Sequence, residues 1–276
     1  MNAASALARS YLFVPGTRPE RFAKALASGA DVVVLDLEDA VAVDAKAQAR
    51  AAIVAWLRDA APADRARIAV RINDTGSTWF DDDVRALAAA GVADVMLPKA
   101  ESAAQVGRLV AALPAARVFA LIESARGVAA VDEIAGAAGV ARLVFGTLDF
   151  ALDLDLDITR DASGLNHAAG RIAIASRVAG LPAPVAGVTP QLDDEARLLG
   201  DLAAARAHGF GAKLCIHPRQ VAAVHAALEP SADELESARR VLEADAASPG
   251  AARLDGRMID RPVVLQAERT LQRARR

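Results

Sequence analysis

In this 276-residue chain, charged and polar residues recur at one kind of place, the C-terminal end of a short apolar run. Leu35-Asp36-Leu37-Glu38-Asp39 closes one run, Arg71 and Asn73 close another, and Pro98-Lys99, Ile122-Glu123, Leu148-Asp149 and His217-Pro218 close four more. One charged strand end is solvated by default, whereas several converging on one rim make a site. Glu123 and Asp149 end neighbouring runs, and two close carboxylates repel unless a proton or a cation lies between them. No Cys/His cluster accompanies them, so oxygen-only ligation points to Mg2+ rather than structural zinc. The alternative is a separate salt bridge for each, with Arg126 as the partner of Glu123. Arg71, between Val70 and Ile72, is a guanidinium on a buried strand and needs a planar anionic partner. A substrate carboxylate would serve, and so would a structural one such as Asp36 or Glu38. His217 reads as a structural hydrogen-bonder, and Cys215, the only cysteine, as an inert buried thiol.

The elements that must carry these residues follow from the apolar pattern. β-Branched runs at residues 11–16, 31–38, 68–73, 94–99, 118–123, 143–149, 184–188 and 212–218 alternate with Ala-rich segments of helical periodicity. Most runs are apolar on consecutive positions, as parallel strands covered on both faces must be, and eight such units predict a closed (β/α)8 TIM barrel. Its catalytic groups would then project from the strand C-termini. Thr17, Pro19 and Glu20 predict an N-cap, a first-turn proline and an acidic third position, with Gly29 and Gly91 ending helices. The barrel is expected over residues 9–230 and a C-terminal helical extension or lid over 231–276. That extension includes a helix from Ser231 to Ala244, a turn at Ser248-Pro249-Gly250 and a final helix from about Pro262.

Composition narrows the function. The chain is 54% apolar but only 4% aromatic, and its formal charge of −3 offers no broad basic surface for nucleic acid. A single cysteine excludes an intramolecular disulfide and suits a reducing compartment. No run of about 18 apolar residues occurs, so a cytoplasmic protein without a membrane span is expected. Gly146 and Gly164 form no dinucleotide fingerprint, and no phosphate-loop pattern appears.

Several segments, taken in order, carry a resemblance. They are Arg9-Ser10-Tyr11-Leu12-Phe13-Val14-Pro15-Gly16, Asp36-Leu37-Glu38-Asp39-Ala40-Val41, Val70-Arg71-Ile72-Asn73, Leu97-Pro98-Lys99, Leu121-Ile122-Glu123-Ser124-Ala125-Arg126-Gly127, Lys213-Leu214-Cys215-Ile216-His217-Pro218 and Gly256-Arg257-Met258-Ile259-Asp260. Together they resemble the citrate lyase beta-subunit-like family, within the barrels related to malyl-CoA lyase and malate synthase. The resemblance implies Mg2+ on Glu123 and Asp149, with Arg71 gripping the acid part of the substrate and Glu38 beside it among the catalytic candidates. It implies a carbon–carbon lyase that cleaves or forms a citryl, citramalyl or malyl thioester from an acetyl thioester and a small 2-oxo acid. The thioester would ride on coenzyme A or an acyl carrier protein. Asp260 would act as acid/base from a neighbouring subunit of a homo-oligomer, a trimer or hexamer, whereas its residue type alone predicts an N-cap for the final helix. Arg18, Arg21 and Lys24 would receive the pantetheine arm over the first turn, or simply form a solvated helix face.

Two departures from the family pattern stand out. Leu148 replaces an acidic residue before Asp149, and Ala186-Gly187-Val188-Thr189-Pro190-Gln191-Leu192 lacks the aromatic and acidic residues expected there. Both segments line the region of the acid side chain and the thioester, so citrate itself does not transfer as the substrate. Thioester hydrolysis from the same site is the enzymatic alternative, and a non-catalytic subunit that binds coenzyme A or a carrier protein is the other. The joint presence of Glu123, Asp149 and Arg71 argues against the latter.

Overall fold

Eight parallel strands close on themselves in sequence order, β1 to β8, in a computed structural model that describes residues 8–248 and 253–274. They are β1 (Ser10–Pro15), β2 (Val32–Asp36), β3 (Ile68–Arg71), β4 (Asp94–Leu97), β5 (Arg117–Ile122), β6 (Val140–Phe145), β7 (Val185–Ala186) and β8 (Ala212–Cys215). Closure is direct, since Tyr11 lies opposite Val32 on one side and Leu214 on the other. Alternate residues of these strands fill the barrel interior: Tyr11, Val34, Ala69, Met96, Phe119 and Leu214 are among those packed there. The edge-to-face pair Tyr11 and Phe119, with ring centroids 5.6 Å apart, seals the lower part of this core. The remaining residues point outward beneath the helices, which is why the strands read as unbroken apolar runs. At the N-terminal end of the barrel Arg142 donates to Ala8 O, Tyr11 Oη and Ala183 O, so its buried charge is spent on structure.

The expected barrel is present, with local differences. The run at 143–149 is not all strand: β6 ends at Phe145, and Asp149 sits in the first turn of a helix, Thr147–Asp153. β7 is only two residues long, because Gly187 and Pro190 break the ladder soon after it begins. Thr17 is not an N-cap. The first helical turn is Pro19–Arg21, preceded by Arg18 without a side-chain cap. Gly91 does end its helix, Phe80–Ala90, in the left-handed conformation at φ 64°.

Residues 8–224 and 225–274 form two compact units. The second contains the helix Ala232–Ala247, opened by a capping box of Ser231 and Glu234. A two-stranded hairpin, β9 (Arg253–Leu254) and β10 (Arg257–Met258), precedes the helix Arg261–Ala274. The hairpin turns through Asp255 and Gly256, both at positive φ. Ile259 and Val264 pack with Val241 and Leu242 as this unit's small core. The expected turn at Ser248-Pro249-Gly250 lies partly outside the described residues. Among the described residues, no helix is long and apolar enough to cross a membrane.

Candidate active site

The C-terminal ends of β2 to β6 bring together a connected set of charged groups. After β2 the chain folds back on Asp36, whose carboxylate is fully buried and accepts the backbone N–H groups of Glu38 at 2.9 Å and Ala40 at 3.0 Å. Lys46 fastens the same turn from below, its Nζ donating to Leu37 O and Glu38 O at 2.8 Å each. From β3, Arg71 meets Asp36 side-on, Nε to Oδ1 at 2.7 Å and Nη2 to Oδ2 at 2.6 Å. Burial disfavours the guanidinium charge, but Asp36 and Glu38 overcome it and push the Arg71 pKa up. The edge formed by Nη1 and the outer side of Nη2 faces away from Asp36. Nη1 is 2.9 Å from Glu38 Oε2 and 3.4 Å from Asp39 Oδ2.

Glu38 and Glu123 are joined by one residue. Lys99, just beyond β4, donates its Nζ to Glu38 Oε1 at 2.5 Å and its backbone N–H to Glu123 Oε1 at 2.7 Å. Lys99 holds φ at 46°, a region a lysine rarely occupies, and this turn presents its N–H to Glu123. Glu123 is 3% exposed at the end of β5. Gly146 packs against it so closely that a β-carbon there would stand 2.5 Å from Glu123 Oε2. Burial, then the charges of Glu38 and Asp149, drive the Glu123 pKa well above the ordinary carboxylate range, against the pull of the Lys99 N–H. Glu38 is raised as well, first by burial, and its buried Oε2 has Arg71 Nη1, at 2.9 Å, as its ion-pair partner.

Such a site holds more negative charge than its cations settle. A hard divalent cation between Glu123 and Asp149 would relieve it, and the donor set, oxygen only, fits Mg2+. Among the described residues no three His, Cys, Asp or Glu side chains form a complete cage.

The other sequence candidates fall elsewhere. Arg126 pairs with Glu101 at 3.8 Å rather than with Glu123. Asn73 is bound to Asp83 through both its backbone N–H and its side chain, which makes it a structural strut. His217 Nδ1 accepts the N–H of Arg219 and so caps the following helix. Cys215 is buried, and burial pushes its thiol up to about 12, which leaves it inert. Arg18 and Arg21 share Glu20 at 3.8 and 3.9 Å on the first turn, and Lys24 is exposed beside them. In the second unit, Asp260 Oδ1 accepts the N–H of Val263 at 3.2 Å, the geometry of an N-cap.

Residues 9–218, which span the barrel strands and the carboxylates of Asp36, Glu38, Glu123 and Asp149, match the HpcH/HpaI aldolase/citrate lyase family. The chain belongs to that family. Residues 176–276 also match a carbon–carbon bond lyase group of the TIM-barrel fold. A citrate lyase subunit beta-like protein of Mycobacterium tuberculosis is 42% identical over 274 residues, covering 96% of this chain and 94% of that one. A (3S)-malyl-CoA thioesterase of Cereibacter sphaeroides is 33% identical over 270 residues, covering 96% and 94%. Among solved structures, CitE of Mycobacterium tuberculosis in complex with magnesium, acetoacetate and coenzyme A superposes with a TM-score of 0.88 at 39% identity, covering 98% of this chain and 99% of that one.

For this member of the aldolase/citrate lyase family, sequence reasoning placed Lys99 on the rim without giving it a role and passed over Lys46 and Gly146 as parts of the site. Lys99 had a visible signal, a cation directly after a buried strand. Gly146 had none, because its close approach to Glu123 exists only across β5 and β6.

Proposed function

We propose that this chain is a Mg2+-dependent carbon–carbon lyase that cleaves or forms a 3-hydroxyacyl thioester from an acetyl thioester and a small 2-oxo acid. The observation that carries the reading is the pair of buried glutamates, Glu38 and Glu123, joined through Lys99 with Arg71 facing them, a set whose surplus negative charge suits a bound cation. The relative seen with magnesium, acetoacetate and coenzyme A supports the same ligand classes here. When bound at Glu123 and Asp149, Mg2+ supplies Lewis-acid stabilisation of the oxygen on which charge develops. The Nη1 side of Arg71, which Asp36 leaves to Glu38 and Asp39, is the side we assign to the substrate carboxylate. Glu38 positions Arg71 and Lys99 by holding both cations in place. In cleavage the hydroxyl proton leaves to a base, the bond between carbinol carbon and thioester α-carbon breaks, and that α-carbon takes a proton to become an acetyl group.

Asp260, between the hairpin and the final helix, is the acid/base we assign to this exchange, brought by a neighbouring copy in a trimer or hexamer. Residues 9–230 then form the catalytic barrel and 231–276 the extension that carries the lid. Arg18 and Lys24 give the coenzyme A or carrier-protein arm its positive flank. Thioester hydrolysis is the second reading, favoured by likeness to the malyl-CoA thioesterase. A panel of malyl, citramalyl and citryl thioesters, followed for both free thiol and released 2-oxo acid with Mg2+ and with EDTA, separates the two. Thiol and 2-oxo acid released with Mg2+ only would point to the lyase followed by hydrolysis, 2-oxo acid without thiol to the lyase alone, and thiol without 2-oxo acid to hydrolysis. No release of either would sink both.

A further inference from the structure

Beside the carboxylate set, a cavity of about 260 Å³ runs into the barrel wall between the loops that follow β6 and β7. Its outer end is formed by Thr147, Leu148 and Val188, and its inner end by Phe145, Phe210 and Ala169. Leu148 is 42% exposed while Phe145 is 2% exposed, so the lining reaches from the surface at the barrel mouth to the buried wall. The outer wall and the proposed metal site are consecutive in the chain: Gly146 lies against Glu123, Thr147 and Leu148 line the cavity, and Asp149 follows. Leu148, Ala186, Gly187 and Val188, in the segments that the family resemblance marks as departures, all line the cavity. The departures are therefore not scattered; they shape one wall.

The charged groups around this cavity already answer one another. Lys213, 1% exposed, donates to Gly187 O at 2.7 Å. Asp201 accepts Thr189 Oγ1 at 2.6 Å and Arg197 Nε at 2.8 Å. Arg197 spends its remaining edge on Thr159 O and Ile158 O, which ties down the loop over the cavity. Most of the remaining lining of the space is aliphatic or aromatic, with Thr147, Thr159, Asn166, Gln191 and His208 as its polar members. Its volume exceeds the ~150 Å³ of an apolar cavity that takes up benzene.

We infer that this cavity receives the aliphatic side chain of the 2-oxo acid, so that the preferred acid carries an uncharged chain of several carbons rather than a methyl or carboxymethyl group. The inference rests on the lyase reading above, in which the 2-oxo acid lies beside Glu123 and Asp149. Its test needs no turnover. With Mg2+ present, pyruvate, 2-oxobutanoate, 2-oxopentanoate and 2-oxohexanoate are titrated into the protein by calorimetry. Affinity is expected to rise about fourfold per added methylene until the cavity is filled. Ala169→Leu and, separately, Ala205→Leu place bulk inside the cavity and are expected to flatten that series. A flat series in the native protein overturns the inference, and so does a rise that survives in both folded variants. If no 2-oxo acid binds, pyruvate included, the lyase reading fails and carries this one with it. Pyruvate binding without any gain from chain length refutes the cavity assignment alone.

Discussion

Changing Arg71 to lysine keeps the charge and removes the planar edge, so it separates electrostatics from geometry at the centre of the site. In the native chain the guanidinium gives Asp36 two short bonds, at 2.7 and 2.6 Å, and reaches Glu38 at 2.9 Å. A single ammonium satisfies one oxygen of Asp36 and cannot span to Glu38 as well. Hydrogen bonds to charged groups contribute roughly 1.5–3 kcal/mol each. Asp36 retains the N–H groups of Glu38 and Ala40, so the net loss should be near the lower part of that range, ~2 kcal/mol. For a chain of this size the loss lowers Tm by about 4–8 °C. If the Nη1 side also grips the substrate, kcat/KM falls about thirtyfold, again ~2 kcal/mol. Differential scanning calorimetry and steady-state kinetics on one preparation read both. An unchanged Tm would refute the claim that Asp36 and Arg71 hold the site together. A lowered Tm with native kcat/KM would confine Arg71 to structure.

Other expectations follow from the same geometry. Glu123→Gln and Asp149→Asn should each weaken Mg2+ binding in a calorimetric titration, and native affinity should rise with pH, because burial and neighbouring charge raise Glu123 and Mg2+ must displace its proton in acid; unchanged affinity in both variants would end the metal assignment. Gly146→Ala should disturb Glu123, since the new methyl would stand 2.5 Å from its Oε2, and a variant with native Mg2+ affinity and Tm would show that the contact yields freely. Lys213 has its pKa lowered to about 8 from 10.5, first by burial, so the unfolded chain binds the extra proton across that window and stability rises with pH there. Urea denaturation should find that part of the rise missing in Lys213→Met, and equal slopes would contradict it. Asp260→Ala and Arg71→Ala chains, each nearly inactive, should regain activity when mixed and allowed to exchange; confirmed exchange with no recovery would rule out a lid supplied in trans, whereas full activity of Asp260→Ala with only a lower Tm would leave the N-cap as its whole role.

The barrel was legible because its strands are covered on both faces, which writes them as unbroken runs such as Val32 to Leu35 and Val95 to Leu97. The end of β6 was not, since Leu148 and Phe150 continue an apolar run whether the backbone is extended or helical, and only the structure puts Asp149 in a helical first turn. Strand-end charges identified Glu123, Asp149, Arg71 and Glu38 as neighbours of one rim. Which edge of Arg71 is spent, and which residue joins the two glutamates, depends on side-chain reach across β2 to β5, about which a linear pattern carries no information. The cavity between the β6 and β7 loops was equally hidden. Its lining comes from β6, β7 and β8, from the helices Thr147–Asp153, Asn166–Val178 and Glu195–Ala207, and from the loops between them, positions scattered along the sequence.

Lys99 makes two links of different chemical kinds, and only one of them belongs to its side chain. Any substitution there deletes the ammonium that reaches Glu38, while the amide that reaches Glu123 persists in every residue except proline. A replacement scan at this position therefore reports on Glu38 and is nearly blind to Glu123. The strained backbone adds a further asymmetry: glycine would relax the turn and β-branched residues would resist it, so variants equal in charge could differ in how firmly Glu123 is held. Replacing the amide by an ester, which no genetic scan includes, would expose the half of Lys99 that its side chain conceals.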